Sequence, residues 1–134
     1  MARMDGDKLA THEVASTDCL RGRTIKFAWT QGPTEGKVHE HRFLDDGTVE
    51  WHALDDRSGG GDKPAAVERP EYFAADIGQD ACFMSYLSNK SGYTLSLVLN
   101  FANRTILGVA SNDKRWFRVR GWLEIAATIP TRVA

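Results

Sequence analysis

The sequence lacks several features that would assign it to a familiar functional class. No apolar run approaches the roughly 18 residues of a membrane span, and residues 1–16 contain no apolar core of a secretory signal. There is no basic stripe either, because 17 basic and 18 acidic residues are interspersed and give a net charge of −1. We therefore expect neither nucleic acid nor membrane as a partner, and a cytoplasmic location.

Cysteine and catalytic motifs are equally scarce. Only Cys19 and Cys82 occur, far apart and without metal-site spacing, so we expect reduced structural thiols, with a long-range disulfide as the alternative. No Ser-His-Asp, Cys-His or paired-carboxylate arrangement marks a catalytic centre. The stretch SGGGDK, residues 58–63, lacks phosphate-loop spacing and precedes Pro64, which is typical of a flexible linker. The catalytic residues therefore stay unknown, and neither a cofactor nor a metal is predicted.

What the sequence does contain is a series of short segments in which apolar and polar residues alternate. These segments are separated by turn signals every eight to twelve residues, a spacing typical of an antiparallel barrel or sandwich. The segments are TIKFAWT (24–30), KVHEHRFL (37–44), TVEWHAL (48–54), YFAADI (72–77), ACFMSYLS (81–88), YTLSLVLNF (93–101), TILGVAS (105–111) and RWFRVRGWLEI (115–125). About eight strands can close into a barrel that holds one small ligand, and closure removes exposed edges. We predict an N-terminal arm (1–20), an all-β antiparallel barrel (21–126) and a C-terminal tail (127–134).

Three of the four histidines lie in one segment, residues 37–56: His39, His41 and His52. A two-residue turn over Asp46 and Gly47 would place all three on one face, within reach of a common metal. A three-residue loop over 45–47 would instead turn His52 to the opposite face. The way this hairpin closes therefore decides whether a three-histidine metal site can form.

The three-residue loop is favoured on physical grounds. A type I turn followed by a left-handed glycine is a standard hairpin connection, and it segregates apolar residues from charged ones. The resulting pairs are Phe43–Val49, His41–Trp51, His39–Ala53, Arg42–Glu50 and Glu40–His52. This register directs His52 to solvent and leaves His39 and His41 as neighbours on the apolar face.

Three interpretations of His39 and His41 stay open: hydrogen-bonded interior histidines, ligand contacts in a cavity, or metal ligands lacking a third partner. Phe27 and Trp29 on the first strand, with Trp51, could wall a cavity or fill a core. Sequence does not decide which of Tyr72, Tyr86 and Tyr93 faces inward. The candidate ligand-binding set is Phe27, Trp29, His39, His41, Trp51 and Tyr86. On the last strand, Trp116, Arg118, Arg120 and Trp122 share a face that we expect to be outward, as a solvated ladder or a homodimer surface.

The run from LRGRTIKFAW through the DDGTVEW hairpin to MSYLSNKSGYTLSLVLNF resembles the MoaF-like proteins, which are lipocalin-like (calycin) β-barrels. It is more distantly similar to the bacterial phenolic acid decarboxylases. The resemblance covers about residues 20–111 and implies a barrel of eight to ten strands with an internal cavity, often dimeric, that holds a small organic ligand. The decarboxylases hold a substrate carboxylate with first-strand tyrosines, whereas Phe27 and Trp29 stand at the corresponding positions here.

The functional expectation is accordingly a lipocalin-like barrel that binds a small aromatic or heteroaromatic molecule, as apolar cavities with a few placed polar groups do. The first alternative is a cofactor-free lyase or isomerase in the same cavity, with His39 or His41 as general acid or base. The second alternative is a non-catalytic structural or interaction module that uses the Arg/Trp face as a homodimer surface. Fold alone does not decide among them.

Overall fold

The computed structural model of the protein describes residues 18–54 and 68–126. These ranges contain eight β-strands and no helix that could cross a membrane. The strands are β1 (Thr24–Gln31), β2 (Val38–Phe43), β3 (Val49–Ala53), β4 (Tyr72–Gly78), β5 (Ala81–Leu87), β6 (Thr94–Asn100), β7 (Thr105–Ser111) and β8 (Trp116–Ile125). Each lies within one or two residues of a segment predicted from alternation. The predicted glycine-rich linker, the tail and most of the predicted arm lie outside the described residues.

All strand pairings are antiparallel within one sheet, in the order β3-β2-β1-β8-β7-β6-β5-β4. The two edge strands, β3 and β4, approach each other. Isolated bridges join Thr48 to Glu71 and Trp51 to Glu68, and Val49 N–H donates to the Pro70 carbonyl at 2.9 Å. The sheet therefore curls into the predicted all-β lipocalin-like barrel, with a seam between β3 and β4.

The β2–β3 hairpin has the predicted register. Phe43 pairs with Val49, His41 with Trp51 and His39 with Ala53. Gly47 has a φ of +88°, the left-handed conformation that a three-residue loop requires of its last residue.

His52 points outward, as that register requires. Its Nε2 lies 3.4 Å from an oxygen of Glu40, on the face opposite His39 and His41. The three-histidine metal arrangement is therefore not formed.

The inward faces of the strands make the core, as the alternation predicts. On β1, Ile25, Phe27 and Trp29 are buried while their neighbours are not. The same holds on β8, where Val119 and Leu123 are buried and Trp122 is 57% exposed. Trp116, Arg118 and Arg120 are exposed as well, so the Arg/Trp face is outward; a homodimer through it stays a prediction.

The expectation of reduced thiols is wrong, because Cys19 and Cys82 form a disulfide bond. Residues 18–23 lie across the end of the barrel where β1 begins, and Cys19 thereby reaches the start of β5. Leu20, beside it, is completely buried. A link of this kind could not be read from cysteine spacing, since it depends on two segments 63 residues apart meeting at one end of the barrel. Disulfides persist in oxidising compartments, so the cytoplasmic location stays a prediction.

Candidate functional site

A cavity of about 210 Å³ lies at the opposite end of the barrel, where β1 ends. Four of its lining side chains are aromatic: Trp29, Trp51, Tyr86 and Tyr93. Four are polar: Thr34, Ser88 and Ser91 carry hydroxyls, and His39 carries an imidazole. The others are aliphatic: Pro33, Leu95, Ala110 and Val119. Such a lining, largely apolar with a few placed polar groups, is typical of small-molecule sites.

Trp29 and His39 form the first polar contact of the wall. Trp29 Nε1–H donates to His39 Nδ1 at 3.0 Å, which fixes the planes of both rings. Trp29 is 4% and His39 9% exposed. His39 also contacts Trp51, with ring centroids 5.1 Å apart. The imidazole thus links the two indoles of the lining.

His41 and Tyr86 form the second contact. His41 Nε2 and the Tyr86 hydroxyl lie 2.8 Å apart, and the His41 ring stacks on Phe27 with centroids 4.2 Å apart. Burial, with a smaller effect of His39, holds the pKa of His41 well below its ordinary value. Burial and then the charge of Glu68 raise the pKa of Tyr86. At neutral pH the pair is therefore an uncharged imidazole and a protonated phenol.

Glu68 organises the third contact, at the seam. One of its carboxylate oxygens accepts hydrogen bonds from Trp51 Nε1 at 2.8 Å and from Ser88 Oγ at 2.7 Å. The other accepts the backbone N–H of Lys90 at 2.9 Å. Burial opposes ionisation, but these donors outweigh it and lower the pKa of Glu68. An ionised carboxylate therefore stands directly behind two lining residues.

The predicted site residues divide into two groups. Trp29, His39, Trp51 and Tyr86 line the cavity, whereas Phe27 and His41 are completely buried beneath it and act through the residues they touch. Which of these residues contact a ligand stays a prediction. Within residues 18–54 and 68–126 no group of three or more potential metal ligands comes together.

Sequence reasoning missed Glu68, Ser88 and the second tyrosine of the lining, Tyr93. Glu68 precedes β4 and belongs to no alternating segment, so periodicity gives no signal for it. Sequence does not decide which of Tyr72, Tyr86 and Tyr93 faces inward, and Tyr72 instead donates its hydroxyl hydrogen to Asp18.

Residues 6–114 match the family profile described as the MoaF N-terminal domain. The chain belongs to the MoaF family. The resemblance found in the sequence is thereby confirmed, and the match spans the strands from β1 to β7. No curated protein matches the chain significantly.

A solved structure similar to this MoaF-family barrel is described as that of a "putative beta-lactamase" from Burkholderia vietnamiensis. It superposes with a TM-score of 0.61 over 81% of this chain and 96% of that chain, at 16% sequence identity. At that identity the likeness establishes the fold alone.

Proposed function

We propose that this MoaF-family barrel binds a small aromatic or heteroaromatic molecule in the cavity at the end of the barrel where β1 stops, which we call the open end. The observation that carries the proposal is the lining itself, in which two indoles and two phenols surround about 210 Å³ together with an imidazole and hydroxyls. An apolar cavity of about 150 Å³ in another protein holds one benzene ring, so this space suits a single substituted ring.

The polar groups of the lining give such a ligand an orientation. The Tyr86 hydroxyl is held by His41, and the His39 ring is held by Trp29. Fixed polar groups cost little entropy when a ligand binds, because their rotamers are already selected. A ring carrying a hydrogen-bonding substituent would therefore be bound in one preferred direction.

The experiment is a ligand titration followed by native mass spectrometry and tryptophan fluorescence. The panel is benzamide, nicotinamide, indole and 4-hydroxybenzaldehyde. We expect at least one to bind in the micromolar to low millimolar range and to change the fluorescence of Trp29 or Trp51. Absence of binding across the panel would contradict the proposal.

A matched pair of variants locates the site. Ala110→Leu extends a lining side chain into the cavity. Ser111→Leu introduces a leucine on the outer face of the same strand, away from the cavity. Ala110→Leu should weaken binding at least about tenfold, whereas Ser111→Leu should leave it within about twofold. Equal affinities in both variants would place the ligand elsewhere.

A cofactor-free lyase or isomerase in the same cavity is the second candidate, favoured by the contact of 2.8 Å between Tyr86 and His41. A phenol held by an imidazole can exchange a proton with a substrate. Tyr86 would touch the substrate and exchange its proton with it, and His41, which lies behind it, would hold the hydroxyl in place through the 2.8 Å contact. Turnover of any bound panel member that is lost in both Tyr86→Phe and His41→Ala would favour this candidate; unchanged turnover in either variant would exclude that proton path.

Decarboxylation of a phenolic acid is the least supported form of that alternative. A buried carboxylate needs a cation or several donors, and the described lining residues include no lysine or arginine. Prolonged incubation with p-coumarate should therefore leave its absorbance unchanged.

A further inference from the structure

The groups in and around the cavity favour one ligand charge over another. The described lining contains no Asp, Glu, Lys or Arg, so the ionised groups just behind it contribute to the field inside. The carboxylate of Glu68 bonds to Trp51 and Ser88, and both of these line the cavity. A ligand at the open end therefore lies close to a negative charge that contacts the cavity wall.

The aromatic rings add to this field. The face of an indole or phenol is the negative end of its quadrupole and attracts cations, most strongly when the site is sheltered from water. Both lining indoles donate their N–H to an acceptor: Trp29 to His39 and Trp51 to Glu68. Donation to an acceptor leaves an indole richer in electrons, so its face attracts a cation more strongly.

A cation of the protein already uses one of these rings. The Lys90 ammonium lies 5.6 Å from the centroid of the Trp51 ring, within the range of a cation–π contact. The same indole N–H is bonded to Glu68. The Trp51 ring is therefore polarised by the carboxylate and accepts positive charge over its face.

An anionic ligand would meet the opposite conditions. It would lose its hydration without gaining a cationic partner from the described lining, and it would be repelled by Glu68. Burying a charge without a partner is among the most costly changes in a protein interior. A cation therefore fits this wall better than a carboxylate or phosphate of similar shape, because the Lys90 ammonium beside Trp51 is exposed to solvent and its charge is screened.

We propose that the cavity selects an organic cation of the N-alkylated heteroaromatic type, such as a pyridinium, with Trp29, Trp51, Tyr86 and Tyr93 as an aromatic cage and Glu68 as the counter-charge. This inference rests on the proposed function, because it specifies the class of ligand for the same cavity. It adds that charge, and not ring shape alone, determines affinity.

The test uses three ligands of nearly equal shape: 1-methylnicotinamide, nicotinamide and nicotinate, which are cationic, neutral and anionic. Affinities are measured by calorimetry at pH 8, where an imidazole of ordinary pKa is neutral. We expect the cation to bind about tenfold more tightly than the neutral ring, and the anion to bind at least about tenfold more weakly than the neutral ring.

Glu68→Gln tests the counter-charge. The amide oxygen can still accept the hydrogen bonds of Trp51 and Ser88, whereas the negative charge and the acceptor for the Lys90 backbone N–H are lost. The preference for the cation should fall to about threefold or less, while the affinity for nicotinamide should change little. Glu71→Gln is the matched control, because Glu71 is an exposed carboxylate three residues away and should leave the preference unchanged. If Glu68→Gln fails to fold, the wild-type series and Trp51→Leu, which should weaken the cation more than the neutral ring, still decide the matter.

Each outcome has a distinct meaning. Binding of nicotinamide or nicotinate at least as tight as that of the cation would overturn this inference and leave aromatic binding intact. Failure of all three, with binding of benzamide or indole retained, would likewise overturn the charge preference alone. Failure of every ligand, including the earlier panel, would overturn the proposed function as well.

Discussion

At the closed end of the barrel, where β1 begins, Leu20, Ile25 and Phe43 are almost completely buried. At the open end, where β1 stops, Trp29 and Tyr86 instead border about 210 Å³ of space. The same alternation of inward and outward residues runs through both ends. What differs is the size of the side chains that β7 and β8 contribute. Strand alternation therefore determines which residues face inward, and their volumes determine whether a cavity remains.

Two strands illustrate the difference. β7 presents Ile106 near its start and Ala110 near its end, and β8 presents Leu123 near the closed end and Val119 near the cavity. The smaller member of each pair lines the cavity. Because Trp29, Trp51 and Tyr86 are large and held by hydrogen bonds, the wall does not collapse inward to fill the space.

The largest expected effect at the closed end is loss of the disulfide. The bond closes a loop with a sequence separation of 63 residues, and closure of such a loop contributes about 4 kcal/mol by the chain-entropy estimate. The double variant Cys19→Ala/Cys82→Ala should lower the free energy of unfolding by about that amount in urea titrations. Reducing agent should lower the wild-type stability similarly and leave the variant unchanged; a wild type insensitive to reduction would contradict this prediction. Ligand affinity at the open end should stay within about twofold.

A pair of truncations on one strand tests the contrast between the ends directly. Leu99 is completely buried near the closed end, and Leu95 lies on the same face of β6 against the cavity. Leu99→Ala should cost about 3 kcal/mol, because it creates a new void in a packed core. Leu95→Ala should cost about 1 kcal/mol or less, since it enlarges a space that already exists. Equal losses in thermal or chemical denaturation would mean that the two ends are packed alike.

Most of the fold, and less of the site, can be predicted from the sequence. Alternation is a local pattern, and the hairpin loop has its own turn chemistry, so the strands and the His41–Trp51 register are readable in advance. The disulfide and the role of Glu68 depend instead on closure of the barrel. Glu68 meets Trp51 and Ser88 from positions 17 and 20 residues away, outside any periodic segment. An internal cavity is expected from the family resemblance, but its position and volume escape prediction, because they depend on how unequal side chains meet across the sheet.

His41 lies beneath the cavity, and its stability effect depends on pH. Its pKa is lowered in the folded protein, so the unfolded chain binds a proton more readily and acid favours unfolding. This contribution is complete above pH 6.5 and is lost as the pH falls below it, by up to about 1.4 kcal/mol per pH unit while the folded imidazole stays neutral. The difference in unfolding free energy between the wild type and the His41→Leu variant should therefore shrink as the pH falls.

His52→Gln is the control for that measurement, because His52 is partly exposed on the outer face. This variant should retain the acid sensitivity of the wild type. If His41→Leu keeps the same pH dependence as the wild type, His41 is not the residue responsible.

The smallest expected effect concerns a strained turn at the closed end, between β4 and β5. Gln79 and Asp80 have φ values of +57° and +62°, the left-handed conformation of a type I′ hairpin turn that Asn-Gly adopts most easily. The double variant Gln79→Asn/Asp80→Gly should raise the free energy of unfolding by about 1 kcal/mol, because the native backbone is kept while its strain is relieved. Gly92→Ala, at a φ of +80° in the β5–β6 turn near the cavity, is the opposite change and should destabilise. If the Asn-Gly variant is neutral or destabilised, Gln79 or Asp80 makes a contact that offsets the backbone strain, and the strain then has no net effect on stability.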